Sequence, residues 1–178
     1  MKAKVLVIGA NGQLGSVLVK ELQQHHGLDN VVASDLKKAK NFVGTFKVLD
    51  ATNRIHLSDV VSKYGITQIY HLAAILSAKG EANPLATWDL NMRMLFNVLE
   101  VARIHELHKV FFPSSIAVFG EDAPWVNTPN NAFLNPATVY GMSKAAGEQW
   151  AQYYFLRYGL DVRSLRYPGV IGYQSLPG

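Results

Sequence analysis

The sequence predicts an α/β chain: a doubly wound parallel sheet with helices on both faces. Three observations lead there. The chain opens with the apolar run Lys4-Val5-Leu6-Val7-Ile8, turns at Gly9-Ala10-Asn11-Gly12-Gln13-Leu14-Gly15, and continues with helical periodicity through Val17, Leu18 and Leu22 toward Gly27. That order reads strand, glycine turn, helix. Beyond it, short apolar strand-like runs alternate with long helical segments, which implies a parallel sheet with right-handed crossovers. Finally, 178 residues at 49% hydrophobic content allow one sizeable core, so residues 1–178 are expected to form one domain.

The glycine turn carries the first chemistry. Gly9 permits a tight turn, Gly12 lets backbone amides approach a pyrophosphate, and Gly15 lets the helix pack closely while its N-terminus faces the phosphate charge. The spacing is GxxGxxG, not the commoner GxGxxG, so the dinucleotide fingerprint applies through its physical logic. A plain glycine-rich surface turn is the alternative, and the flanking strand and helix argue against it. The unit is therefore read as Rossmann-like and dinucleotide-binding.

A second strand, Val31-Val32-Ala33-Ser34, ends at Asp35, twenty residues after Gly15. A carboxylate there accepts hydrogen bonds from ribose hydroxyls and repels a 2′-phosphate, which favours NAD over NADP. Lys37, Lys38 and Lys40 could welcome a phosphate, but a short basic run after a strand is more often a solvated face. Asp50, closing Phe46-Lys47-Val48-Leu49, is a candidate for contact with the adenine or, alternatively, a cap for the next helix.

Thr67 to Leu72 reads as the next strand, Pro84 to about Leu107 as one long helix, and Lys109 to Phe112 as the fifth strand. Residues 138–158 form another helix and Asp161 to Arg166 a further strand. Met92, Met94 and Phe96 suit core packing better than a partner surface. The loop from Ser115 to Ala137, with Pro124, Pro129, Pro136, Gly120, Trp125 and Phe133, follows the fifth strand. Ligands of open parallel sheets sit outside the carboxyl ends of strands, so this loop is a candidate pocket wall; a packed surface excursion is the alternative.

Tyr140 and Lys144, four apart on the 138–158 helix, share one face, the layout of a phenol base tuned by an ammonium. Eight Tyr and eleven Lys in this length give about 0.5 such pairs by chance, so the pair gains weight only from the nucleotide-binding terminus upstream. His105 and His108, read as three apart on a helix, lack a third ligand candidate, and no metal site is expected. Zero cysteines exclude disulfides and thiolate metal sites. The net charge of +4 is spread without a basic cluster interleaved with aromatics, so no nucleic-acid partner is expected. With a first strand at residue 4 and no long apolar run, neither a signal peptide nor a membrane span is read, and a cytoplasmic protein is expected.

Together the glycine turn, Asp35, His71-Leu72-Ala73-Ala74, Asn91, Pro113 through Gly120, Tyr140 with Lys144, and Arg166-Tyr167-Pro168-Gly169 resemble, in order, the extended short-chain dehydrogenase/reductase family. Within it the chain is most similar to the NAD-dependent L-threonine 3-dehydrogenases of the short-chain type, through Leu76-Ser77-Ala78-Lys79, Trp88-Asp89-Leu90-Asn91-Met92, Pro113 through Gly120, and Val162 through Gly169. Nucleotide-sugar epimerases and dehydratases usually carry Gly-Thr after the helix Asn, where this chain has Met94-Leu95.

The resemblance implies NAD as cofactor and L-threonine as substrate, oxidised at its 3-hydroxyl to 2-amino-3-oxobutanoate. It makes Tyr140 the base and Lys144 the group that lowers the phenol and holds the nicotinamide ribose. Bringing a phenol from about 10 to about 7 needs roughly 4 kcal/mol. Ser115, rather than its neighbour Ser114, would bond the substrate oxygen, Asn91 would anchor a water leading to Lys144 or, alternatively, bond a neighbouring strand, and Ser77 would contact substrate. Cofactor contacts are implied for Gly9, Asn11, Gly12, Gln13, Leu14, Gly15, Asp35, Asp50, Ala51, Leu72, Ala73, Ala74, Tyr140, Lys144, Tyr167 and Pro168. Family members continue into a small C-terminal substrate domain, which is not expected within this chain, and commonly pair as homodimers through the two long helices. A nucleotide-sugar epimerase or dehydratase, or a non-catalytic NAD-binding protein, stands as the alternative.

Overall fold

The computed structural model describes residues 3–171. Six parallel strands form the main sheet: β1 (Val5–Ile8), β2 (Val31–Asp35), β3 (Thr45–Val48), β4 (Gln68–His71), β5 (Lys109–Phe111) and β7 (Val162–Arg163), in the order β3-β2-β1-β4-β5-β7. A separate parallel pair joins β6 (Ser114–Ser115) to β8 (Arg166–Tyr167). The helices are α1 (Gln13–His26), α2 (Arg54–Tyr64), α3 (Ser77–Gly80), α4 (Pro84–Ile104) and α5 (Val139–Tyr158).

The central strand explains the layering. All four residues of β1 are buried, as a strand covered on both faces requires, and its side chains alternate between two cores. Leu6 and Ile8 join Val32 and Ile69 with Leu57 and Val61 of α2, Leu95 and Leu99 of α4 and Tyr154 of α5. Val5 and Val7 join Val31 and Ala33 with Val19 and Leu22 of α1 on the other face. The sheet is thus doubly wound, as predicted. Within α1 the buried positions are Gly15, Val19 and Leu22, whereas Val17, read as part of the apolar stripe, is exposed.

Local chemistry sets the helix ends. Asn53, not Asp50, caps α2 by accepting from His56 N at 3.0 Å. Asp50 instead folds back on Thr52, accepting from its N at 2.9 Å and its hydroxyl at 2.8 Å. Asn83 caps α4 with Pro84 in the first turn, and Thr138 caps α5 by accepting from Gly141 N at 3.0 Å. The long helix ends at Ile104 instead of continuing to Leu107, with His105 as its cap residue. His105 and His108 are therefore not helix neighbours: the first bonds Ser58 Oγ at 2.7 Å, and the second donates its backbone N–H to Thr67 O.

The strand predicted over Asp161 to Arg166 is broken. Val162–Arg163 pairs with β5, Ser164 and Leu165 leave the ladder, and Arg166–Tyr167 pairs with β6. The break lies opposite Pro113, which has no N–H and gives its carbonyl to the Lys144 ammonium at 2.7 Å.

Helices α4 and α5 are tied by Tyr154, whose hydroxyl donates to Glu100 Oε1 at 2.6 Å while Arg103 grips the same carboxylate. Met92 is buried, and Met94 and Phe96 pack against the same core, in keeping with the core reading. Leu85, Trp88, Trp150, Tyr153, Phe155 and Leu156 face outward from these two helices. Among the described residues no helix is long and apolar enough to cross a membrane.

Candidate active site

The strand carboxyl ends converge on the glycine turn. Gly9 adopts φ 87°, and its N–H and that of Ala10 both donate to Ser34 O, bending the chain from β1 into α1. A methyl at Gly9 would lie 2.7 Å from Ala73 N, so Leu72-Ala73-Ala74 passes directly against the turn. A methyl at Gly15 would overlap the Gly9 carbonyl oxygen. Gly12 differs: its backbone is extended, and an added methyl would meet only Gly9 O, at 3.4 Å. Nothing in the chain itself demands glycine there, so the small residue keeps a space open.

Helix α1 begins at that space with no side-chain cap. The first amides of a helix, here those of Gln13, Leu14 and Gly15, have no intrahelical acceptor and suit a pyrophosphate. Asp35 stands beside the turn, its Oδ2 accepting from Asn11 N at 2.9 Å and its Oδ1 from Leu36 N at 2.8 Å. Each oxygen keeps a lone pair for a ribose hydroxyl. Asn11 Nδ2 donates to Lys37 O at 2.6 Å, while the Lys37, Lys38 and Lys40 side chains are exposed. Gln13 Nε2 reaches Val170 O at 2.8 Å, which ties the turn to the segment carrying Tyr167 and Pro168. Ala51 is buried, and its carbonyl accepts from Asn97 Nδ2 at 2.9 Å.

The second cluster lies where β5, β6 and α5 meet. Ser115 faces the Tyr140 phenol and favours its ionised form, and Ser115 Oγ accepts from Ala117 N at 3.2 Å. Ser114 points the other way, its hydroxyl donating to Glu148. Lys144 Nζ lies 4.5 Å from the Phe112 ring centre and 5.3 Å from that of Tyr140 while it donates to Pro113 O. Burial pushes the Tyr140 phenol up against the opposing pull of Ser115, and burial brings Lys144 down to about 7. In this arrangement the phenol is governed by desolvation and Ser115.

Two further predicted residues flank this cluster. Both ends of the Asn91 amide are engaged by Ile75, whose N donates to Oδ1 at 2.8 Å and whose O accepts from Nδ2 at 3.0 Å. The side chain thus pins the segment after β4. Ser77 is half-buried at the start of α3, which packs on the start of α5; there Glu81 accepts from Val139 N at 2.8 Å.

His71, the last residue of β4, lines a small cavity with Asn91, Ser143 and Lys144, and its Nδ1 has no partner. Burial, then the Lys144 charge, lowers its pKa from 6.5 to about 3. Between those values the unfolded chain binds a proton that the folded chain refuses. Its contribution is therefore complete above pH 6.5 and falls with acid toward 3 by up to about 1.4 kcal/mol per pH unit. Urea midpoints at pH 7 and 5 check this: His71→Leu is expected to show the smaller loss on acidification, and equal losses would remove His71 from the account.

A family model described as the NAD dependent epimerase/dehydratase family matches residues 5–177. The chain belongs to that family. The open space at Gly12, the uncapped start of α1 and the carboxylate of Asp35 fit the NAD on which the NAD-dependent epimerase/dehydratase family relies. An uncharacterized epimerase/dehydratase of Staphylococcus haemolyticus is 44% identical over 179 residues, covering 98% of this chain and 56% of the relative. Among solved structures, a GalE-like L-threonine dehydrogenase from Cupriavidus necator in its holo form is 49% identical, with a TM-score of 0.95 over 98% of this chain and 57% of that one. A partial consensus L-threonine 3-dehydrogenase is 51% identical, with a TM-score of 0.95 over the same shares. The chain thus spans somewhat more than half the length of the family members it matches.

The sequence reading left out Glu148, although its place four residues after Lys144 marks the same helix face. A lone helix carboxylate reads as solvated until its partner across the fold is known.

Proposed function

We propose that the protein to which this chain belongs oxidises L-threonine at its 3-hydroxyl, giving 2-amino-3-oxobutanoate with NAD as the acceptor. The observation that carries this is the convergence of Ser115, the Tyr140 phenol and the buried Lys144, whose Nζ lies 5.3 Å from the Tyr140 ring centre one turn further along α5. The reaction class follows from these groups. The substrate follows from the threonine dehydrogenases at 49% and 51% identity.

Bound NAD supplies the hydride acceptor. The chain's own groups do the rest. In this reading the α1 amides hold the pyrophosphate, Asp35 the adenosine ribose, and the segments at Asp50-Ala51, Leu72-Ala74 and Tyr167-Pro168 flank the cofactor. Ser115 Oγ donates to the substrate oxygen and so lowers the cost of charge forming there. Tyr140 Oη accepts the proton of the 3-hydroxyl as the C–H bond gives up its hydride. For that the phenol must ionise, so Lys144 must favour phenolate strongly enough to overcome the burial that raises Tyr140. Ser77 is proposed to contact the substrate, and the outward apolar residues of α4 and α5 to form the contact of a homodimer.

Absorbance at the NADH band, with the intact protein, NAD and L-threonine, tests the reading. Growth with NAD and not with NADP is the expected result. No growth, together with tight binding of a nucleotide sugar, would replace it with nucleotide-sugar epimerase or dehydratase chemistry.

A further inference from the structure

The two serines of β6 lie on a strand too short to hold itself in place. A two-residue pair with one neighbouring strand has little stability of its own. Ser114 pairs with Arg166 and Ser115 with Tyr167, so whatever fixes Arg166 also fixes the hydroxyl proposed to meet the substrate. That anchor is on α5. Tyr140, Lys144 and Glu148 follow one another at four-residue steps along one helix face. Glu148 Oε1 accepts from Ser114 Oγ and from Arg166 Nε at 2.9 Å, while Oε2 accepts from Arg166 Nη2 at 2.7 Å. This is a two-pronged guanidinium–carboxylate pair, whose geometry resists sliding more than a single contact does.

The same guanidinium reaches the long loop. Arg166 Nη1 donates to Asn130 O at 2.7 Å, and its planar head lies 5.0 Å from the Phe119 ring centre. The loop is otherwise closed at its base, where Phe119 pairs with Leu134. Its tip is held by little else that is buried: Trp125 is 90% exposed and Phe133 76%. Both side chains of the pair are mostly withdrawn from solvent, with 23% of Arg166 and 15% of Glu148 exposed. Burial pushes the Glu148 carboxyl up, but the bonds from Arg166 and Ser114 outweigh it and hold the group ionised, below the usual range.

We propose that Glu148 is a positioning residue: through Ser114 and Arg166 it sets Ser115, Tyr167 and the 120–137 loop in one arrangement around Tyr140. This rests on the dehydrogenase reading for its kinetic consequence but not for its structural one. Both carboxylate oxygens are taken up by Ser114 and Arg166. The carboxylate acts by fixing the distance between Ser115 and Tyr140, where a shift of about 1 Å can cost 100-fold in rate.

The test uses the intact protein and two variants. Glu148→Gln keeps the shape and removes the charge; it is expected to lower kcat about ten- to 100-fold while KM for NAD moves less than about threefold. It should also speed chymotrypsin cleavage at Trp125 and Phe133. The double variant Glu148→Gln with Arg166→Met removes the unpaired buried guanidinium and is expected to recover stability but not kcat. Recovery of kcat together with stability would overturn the proposal, because a merely structural pair predicts that. So would a Glu148→Gln enzyme with wild-type kcat. Cleavage and NAD binding are read without threonine. A wild-type protein inactive on threonine whose Glu148→Gln variant is cut faster refutes the substrate and supports the anchor, whereas unchanged cleavage overturns the anchor.

Discussion

Replacing Tyr140 by Phe is expected to lower the rate of NADH formation by about 10²- to 10⁴-fold, the range for losing a positioned acid–base group. NAD binding should survive. The residues facing the pyrophosphate and ribose, from Gly12 to Gly15 and at Asp35, lie on other elements of the fold. Stability should change little, since the substitution removes a single hydroxyl, and one side-chain hydrogen bond is worth about 1 kcal/mol. The pH profile separates this loss from a generic one. Burial raises the phenol above its ordinary value of 10.0, so in the wild-type protein the base form grows as pH rises, and the rate should climb with it. The residual rate of the Phe variant should lack that climb. Initial rates read at the NADH band across pH settle the matter, and an unchanged rate in the variant would sink every enzymatic reading of the site.

Much of this arrangement was legible from the sequence because it depends on neighbours along the chain. The strand, glycine turn and helix at residues 4–27 announce themselves through period and turn chemistry, and Asp35 through its distance from the turn. Tyr140 and Lys144 share a face because four residues make about one helical turn. Alternation along a strand sends the two neighbouring hydroxyls to different partners, Ser114 to Glu148 and Ser115 to the N–H of Ala117.

What escaped notice depends on partners far away in sequence. The break at Ser164-Leu165 needs Pro113 and the ammonium of Lys144 to explain it. Asn53 takes the cap that was the alternative role for Asp50, whose carboxylate folds back on Thr52. The amide of Asn91 is spent on Ile75, sixteen residues earlier, and that pairing becomes visible only when α4 crosses the end of β4. His71 is an apolar-strand residue by pattern and a buried, unpartnered imidazole by structure. Glu148 is the strongest case, because its charge is matched by Arg166, a residue on a strand that the sequence placed in the wrong sheet.

Gly141→Ala is expected to damage both the fold and the activity, by one methyl group. Gly141 lies in the first turn of α5, next to Tyr140, and its N–H is the one received by the Thr138 cap. An added Cβ would overlap the carbonyl oxygen of Ala117 and stand 2.9 Å from Pro136 Cβ. Backbone cannot rotate aside as a side chain can, so the helix start and the turn at Ile116–Val118 must separate. That turn begins at Ser115, whose Oγ receives the N–H of the same Ala117. The methyl therefore acts as a wedge between the two hydroxyls proposed to share the substrate oxygen. Overpacking of this kind costs about 1–3 kcal/mol, and the displacement of Ser115 from Tyr140 should cost a further rate loss of about 100-fold. Met142→Ala, at the next and exposed position, is the matched control and should do neither. Urea unfolding and kcat measured on the same preparations read the two effects separately. A Gly141→Ala protein with normal kcat would mean that the approach of α5 to the Ser115 turn does not set the geometry of the reaction, and lost stability alone would assign Gly141 to packing.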